Sequence, residues 1–186
     1  MAARSFPQRV AAAVGESPVA ERIARAQDLA YAPIVAWAAR SPFHTDVLGH
    51  SIHPSLTDVT AGCWLSTSVV DLAGGPESRR AATLLAGVGV AAAVPTAFAG
   101  AADWAGMSGV ERRIGAVHAL GTDIATFLFI GSLVARLRGA DRVGARLAVA
   151  GNVVIAGAGF LGGHLALNRG TARRTSVAPL ESAAPV

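Results

Sequence analysis

Long apolar stretches separated by short charged segments are the dominant pattern of this chain. Four of these stretches, at residues 54–73, 81–102, 114–135 and 147–168, contain about twenty residues each and few charges. A helix of about twenty apolar residues, rising 1.5 Å per residue, crosses the hydrocarbon core of a bilayer. The pattern therefore predicts four membrane-spanning helices. The first is the most polar, because Asp58 and Asp71 lie near its two ends.

The connections between these stretches are short, at residues 74–80, 103–113 and 136–142. Short connections between helices force neighbours to run antiparallel. The second and fourth stretches are rich in glycine and alanine, and such small residues let helices approach closely in lipid. The predicted fold is an all-α integral membrane protein, an up-and-down four-helix bundle.

The N-terminal part of the chain has a different character. Residues 1–17 mix arginine, alanine, proline and glycine, and are expected to be loosely ordered. Residues 18–39 are typical of a helix with charges at its start, an apolar second half and Pro33 within it. Such a helix fits the membrane interface, and a soluble cap over the bundle is the alternative. The predicted division is therefore an N-terminal extension at 1–47, a transmembrane domain at 48–170 and a disordered tail at 171–186.

Composition supports a membrane protein and excludes several other classes. Charged residues make up 15% of the chain, whereas about 25% is usual in soluble domains. All sixteen basic residues are arginine, and they form no dense patch interleaved with aromatic residues, so the bilayer and not nucleic acid is the expected partner. The single cysteine, Cys63, excludes an internal disulfide, paired-cysteine haem attachment and a zinc ribbon.

Four crossings place both chain ends on one side of the membrane, which we call side A. Side A would hold ten arginines, and the opposite side, side B, would hold six. Because arginine and lysine concentrate on the cytoplasmic side, the count favours a multi-pass protein of the cell membrane with both termini in the cytoplasm.

Three histidines are predicted to lie at similar depth near side A. His53 begins the first stretch, His118 follows Arg113 by five residues, and His164 precedes Arg169 by five residues. Five residues of helix span about 7–8 Å. Polar side chains within a membrane turn toward the bundle interior, because lipid cannot satisfy them. We therefore expect the three imidazoles to converge in one leaflet.

Asp103 and Trp104, which directly follow the second stretch, are expected at the rim of the same site. Asp103 would accept a hydrogen bond that orients a ligand. Trp104 would stack on a bound ring or anchor the helix at the interface. Asp123, inside the third stretch, is either a helix-to-helix hydrogen-bonding partner or a further member of the site.

Imidazole chemistry gives this constellation its candidate functions. Histidine binds the iron of haem b and also free transition metals. Two of His53, His118 and His164 could take both axial positions of a haem, and all three with a carboxylate could hold a non-haem metal. Without a metal, the groups could relay protons, bind a quinone or simply fix helix packing. The predicted cofactor-binding residues are His53, His118, His164, Asp103 and Trp104, with the three histidines as metal ligands. No catalytic set is evident, so an enzyme is not the favoured class.

Several short motifs accompany the predicted site. They are Gly49-His50, His53-Pro54, Leu56-Thr57-Asp58, Asp71-Leu72, residues 100–104, residues 113–120 and residues 161–165. In this order they resemble the bacterial membrane protein family called domain of unknown function 2231. Ser51 and residues 59–61 depart from the family pattern. The resemblance implies a four-helix membrane domain without an assigned activity.

Some relatives look to be joined to Rieske-type iron–sulfur domains, and this resemblance implies electron transfer with side A in the cytoplasm. The chain has no such motif, so the redox partner would be a separate protein. The leading hypothesis is a membrane-embedded, redox-associated accessory protein that binds haem or a metal. Its rivals are a non-catalytic membrane scaffold and a small proton or ion conduit leading to Asp71 on side B.

Overall fold

The computed structural model describes residues 5–44 and 48–173, and nearly all of this part of the chain is helical. The six helices are α1 (Phe6–Gly15), α2 (Pro18–Ala38), α3 (His53–Ala73), α4 (Arg79–Trp104), α5 (Gly109–Leu137) and α6 (Asp141–Gly163). A 3-10 turn at Pro76–Ser78 precedes α4, and a π-helical turn at His164–Asn168 extends α6. No strand forms within the described ranges, so the all-α prediction is confirmed.

Helices α3 to α6, together with the π-helical turn that extends α6, contain the four predicted apolar stretches. Within this group α3 packs on α4, α4 on α5, α5 on α6, and α6 on α3. Among the described residues, three helical segments are long and apolar enough to cross a membrane: Pro76–Trp104, Gly109–Leu137 and Asp141–Asn168. Helix α3 is not among them, because its aspartates and its serine and threonine residues lower its mean hydropathy.

Helix α1 forms where a loosely ordered segment was expected, so that prediction was wrong for residues 6–15. The Ser5 backbone N–H donates to the Gln8 side chain at 2.9 Å, and Pro7 occupies the first turn, where its missing N–H is not needed. Gly15 packs closely on α5: a Cβ at this position would lie 2.6 Å from Val110 Cγ1. The tertiary contact with α5 explains why this short helix is ordered.

Helix α2 runs along the flank of α4 and α5. Its N-terminus is capped by Ser17, whose hydroxyl accepts from two backbone N–H groups. Glu21 pairs with Arg113 at 3.2 Å, and Tyr31 donates a hydrogen bond to Asp123. The two contacts are ten residues apart in α2, from Glu21 to Tyr31, and they follow the same order ten residues apart in α5. Helices α2 and α5 therefore run parallel for about 15 Å.

Aromatic stacking fills the middle of the bundle. The rings of Trp64 and Phe129 stack with centroids 4.4 Å apart and planes inclined by 2°. Gly151 leaves the space they need, because a Cβ there would lie 2.7 Å from Phe129 Cε2. Asn152 donates to the Trp64 carbonyl at 3.0 Å and to Ser68 Oγ at 2.7 Å. Helices α3, α5 and α6 are thereby joined at mid-depth.

The side B end of the bundle is held by a buried ion pair. Arg136 donates to both carboxylate oxygens of Asp71, at 2.9 and 2.5 Å. The Arg136 side chain is fully buried, and its Nε also donates to Ser132 Oγ at 3.2 Å. Ser132 in turn donates to the carbonyl of Gly144 at 2.7 Å. This network connects the ends of α3 and α5 to the start of α6.

The last described residues return to the start of α3. The Ser51 backbone N–H donates to the carbonyl of Ala172 at 2.7 Å, and His50 and Arg173 form an isolated antiparallel bridge. Residues 174–186, which make up most of the tail predicted to be disordered, lie outside the described residues.

Candidate functional site

Two imidazoles, from α3 and α5, meet inside the bundle near side A. Nδ1 of His53 lies 2.9 Å from the carbonyl of Thr96, on α4. Nδ1 of His118 lies 2.8 Å from the carbonyl of Ala158, on α6. A carbonyl oxygen only accepts hydrogen bonds, so each Nδ1 carries the proton. In the neutral ring this leaves a lone pair on each Nε2, the form in which histidine binds metals.

The two rings lie close together and nearly perpendicular. Their centroids are 6.1 Å apart and their planes are inclined by 82°. Glycines on the neighbouring helices make room for both: a Cβ on Gly100 would lie 3.0 Å from Cε1 of His53, and a Cβ on Gly162 would lie 2.7 Å from Cε1 of His118. The backbone of α4 and α6 therefore fixes where the imidazoles sit.

The imidazoles line two adjoining cavities. One has a volume of about 460 Å³ and extends toward the buried Trp64 and Asn152. The other has a volume of about 650 Å³ and extends toward side A, where Trp104 and Met107 line it. Pockets that hold organic ligands in proteins usually measure about 300–1,000 Å³. The space around the histidine pair therefore suits an organic ligand as well as an ion.

Asp103 lies near the end of α4, beside the residues that precede α3. Its carboxylate accepts from Ser51 Oγ at 2.7 Å, and the same hydroxyl accepts from the His53 backbone N–H at 3.0 Å. Asp103 therefore orients the start of α3 through Ser51, and it also lines the larger cavity.

Trp104 lies beside the larger cavity and is held from outside by α2. Its Nε1 donates to the carboxylate of Asp28 at 3.2 Å, and Arg112 pairs with the same carboxylate. The indole therefore forms part of the cavity lining while it is anchored at side A.

His164 does not join the other two histidines in a common site. It lines neither cavity, and it lies two residues beyond Gly162, about 200° further around an α-helix. Within residues 5–44 and 48–173, no group of three His, Cys, Asp or Glu side chains could hold a metal ion. The structure therefore brings together two of the three predicted metal ligands.

Comparison with known families agrees with this architecture. A family model described as "Predicted membrane protein (DUF2231)" matches residues 49–174. The chain belongs to this family. The matched region of the DUF2231 protein contains both cavity histidines and helices α3 to α6, whereas α1 and α2 precede it. No curated protein and no solved structure matches the chain.

Sequence reasoning missed one residue of the cavity in this DUF2231 protein, Tyr31 of α2. Its hydroxyl donates to the carboxylate of Asp123, and both residues line the larger cavity. Burial, followed by the contact with Asp123, raises the pKa of Tyr31 to about 12, so the hydroxyl remains a donor at physiological pH. Two features of the sequence point to this contact: Asp123 is an isolated carboxylate in an apolar stretch, and Tyr31 is the only tyrosine of the chain.

Proposed function

We propose that this DUF2231 protein is a membrane-embedded electron-transfer accessory protein that holds a haem b between His53 and His118. The observation that carries the proposal is the pair of imidazoles 6.1 Å apart, each with Nδ1 on a backbone carbonyl. Histidine ligands usually donate the second ring N–H in this way, because the bond orients the ring toward the metal.

The spacing of the rings supports two ligands on one metal. A metal held by the Nε2 atoms of two opposed imidazoles, with bonds of about 2.0–2.1 Å, separates the ring centres by roughly 6 Å. A bare ion needs further protein ligands, and the described residues offer no third His, Cys, Asp or Glu in reach. A porphyrin supplies four ligands of its own, so the chemistry favours haem over a bare transition metal.

Two axial histidines would also define the type of chemistry. If His53 and His118 both held the haem, they would leave no free position for oxygen or substrate, and the bound group would supply one-electron transfer. The partner would be a separate redox protein that delivers or accepts that electron. An enzyme is accordingly not the class that we propose.

The proposal includes α3 as a fourth membrane crossing. At 21 residues, α3 is about 31 Å long, which is enough for the hydrocarbon core. Its buried residues are Thr60, Trp64, Thr67 and Ser68. Its exposed large side chains are Val59, Leu65, Val69 and Leu72. Polar groups on the inside and apolar groups on the outside are the pattern that lipid imposes.

Four crossings would give a cell-membrane protein with both chain ends on side A. We propose that side A is cytoplasmic, because ten of the sixteen arginines belong to it. A haem held by the histidine pair would then exchange electrons with a partner near the cytoplasmic surface.

A scaffold is the second candidate, and one observation favours it. The Nδ1 bonds of His53 and His118 each join neighbouring helices, α3 to α4 and α5 to α6, so the imidazoles could serve packing alone. The conduit hypothesis has less support. The Trp64–Phe129 stack lies at mid-depth and Asp71 is paired with Arg136, so a continuous polar path to side B is not favoured.

The test is the visible spectrum of the protein purified in detergent from cells supplied with haem and metals. We expect a Soret band that shifts on reduction with dithionite, and that is lost in His53→Ala and in His118→Ala. His164→Ala is the matched control and should keep the band. Absence of a Soret band in the folded wild-type protein would contradict the proposal, and metal without haem would assign the pair to a bare ion.

A further inference from the structure

Helix α2 lies outside the matched family region, yet it contributes to the cavity. Tyr31, Ile34 and Val35, all on α2, line the larger cavity together with His53 and His118. The family domain by itself would therefore leave this side of the cavity uncovered.

Polar contacts fix α2 in place at two levels. Near side A, Asp28 pairs with Arg112 and accepts from Trp104, and Glu21 pairs with Arg113. These groups are partly exposed. Deeper along α5, Tyr31 contacts Asp123, and both are partly buried. A carboxylate in an apolar helix is costly without a partner, so this deeper contact gives α2 a defined position beside the cavity.

The outward face of α2 is apolar in its second half. Leu29 is 83% exposed and Trp37 is 50% exposed. Because α2 follows α5 from Arg113 to the level of Asp123, this face lies at the depth of the first turns of α5 inside the membrane. Lipid contact suits these side chains, and it would leave α2 between the bilayer and the cavity.

We propose that α2 is a wall of the ligand cavity that closes it toward the bilayer, and that Tyr31 is the positioning residue that holds this wall on Asp123. Because the ligand would sit between His53 and His118, the consequence for ligand retention rests on the proposed function. Closure of the cavity does not depend on it. Removing the Tyr31 hydroxyl leaves Asp123 without its donor, so α2 separates from α5 more often and the cavity opens laterally.

A thiol placed under α2 reports this opening. Ala101 lines the larger cavity, is half-buried, and lies on α4 between Phe98, which contacts Trp37, and Trp104, which contacts Asp28. We would introduce Ala101→Cys in a Cys63→Ser background and measure its reaction with N-ethylmaleimide in detergent. Tyr31→Phe should accelerate this reaction about three- to tenfold, the effect of losing one hydrogen bond, and Asp28→Asn should add to it.

Two controls separate opening of the wall from general loosening. Native Cys63, on α3, lines neither cavity, so its rate should stay unchanged when Tyr31→Phe is made in the native chain. Arg25→Gln removes only an exposed ion pair within α2 and should leave the thiol at position 101 unaffected. The proposal is overturned if that thiol reacts no faster in Tyr31→Phe/Asp28→Asn, or if Cys63 accelerates in parallel.

A second measurement connects the wall to the ligand. If wild type carries haem, Tyr31→Phe should keep the Soret band but lose haem to apomyoglobin about three- to tenfold faster. If the rate of haem loss is unchanged while labelling at position 101 is faster, then Tyr31 has no role in retaining the ligand. If wild type carries no haem, the proposed function fails, while the labelling rates still decide whether α2 closes the cavity.

Discussion

The imidazole of His118 occupies the space that a side chain at position 162 would need. A Cβ on Gly162 would lie 2.7 Å from Cε1 and 3.0 Å from Nδ1 of His118. One turn earlier on α6, Ala158 offers the carbonyl that Nδ1 contacts. The close approach of α5 and α6 therefore depends on a glycine at position 162. This approach fixes both the position and the orientation of the His118 ring.

Gly162→Ala should displace the His118 ring and weaken the site. Overpacking of this kind costs about 1–3 kcal/mol, and the His118 ring would move from its present place 6.1 Å from the His53 ring. We expect a lower unfolding midpoint in detergent and loss of most of the bound haem. Gly157→Ala is the matched control, because a Cβ there meets nothing within 4 Å. Equal behaviour of the two variants would show that the close approach does not constrain His118.

The ion pair at side B should contribute to stability more than an exposed pair does. Asp71→Asn leaves the fully buried Arg136 guanidinium without a counter-charge, and breaking a buried pair costs about 3–5 kcal/mol. Unfolding of the purified protein in detergent would measure the loss. Arg138→Gln, at an exposed position on the same helix end, should change little. A loss below about 1 kcal/mol for Asp71→Asn would contradict the role assigned to the pair.

The aromatic stack should be the main apolar contact at mid-depth. Phe129→Ala removes a fully buried ring, which costs about 3–5 kcal/mol in well-packed cores. Phe127, two residues earlier on α5, is 72% exposed, and Phe127→Ala should cost far less. Comparison of the two unfolding midpoints checks this prediction. A larger loss in Phe127→Ala would mean that the exposed face of α5 carries an interface.

The fourth crossing can be tested by labelling single cysteines in intact cells. Leu48 and Gly75 lie before and after α3, and both are exposed. In a Cys63→Ser background, Leu48→Cys and Gly75→Cys should react with a membrane-impermeant maleimide from opposite sides. Gly75→Cys should label from outside if side A is cytoplasmic. Labelling of both positions from one side would show that α3 does not cross the membrane.

Much of the fold follows from the sequence, because lipid imposes a simple rule on helix length and polarity. The four apolar stretches correspond to α3 to α6. This inference uses only contacts within one helix or the demand of the bilayer.

The parts that the sequence did not predict depend on how separate helices rotate and dock. Counting residues along the helices predicted that His164 lies at the same depth as His118. In the structure, α6 is rotated so that Gly162 contacts the His118 imidazole. The ordering of α1 depends on Gly15 meeting α5, and no local signal marks that contact. The Tyr31–Asp123 contact likewise joins residues 92 positions apart. From the sequence, Asp123 could be recognised only as an acid in an apolar stretch, without an evident partner.

The electron paramagnetic resonance spectrum of the oxidised, haem-loaded protein is the most direct test of two imidazoles on one iron. Two strong axial ligands give low-spin ferric iron, and the 82° between the ring planes predicts the strongly anisotropic form of that signal. We expect this signal in wild type and in His164→Ala, and no haem-iron signal in His118→Ala, which should lose the haem. A high-spin ferric signal in wild type, or no haem iron at all, would contradict the account.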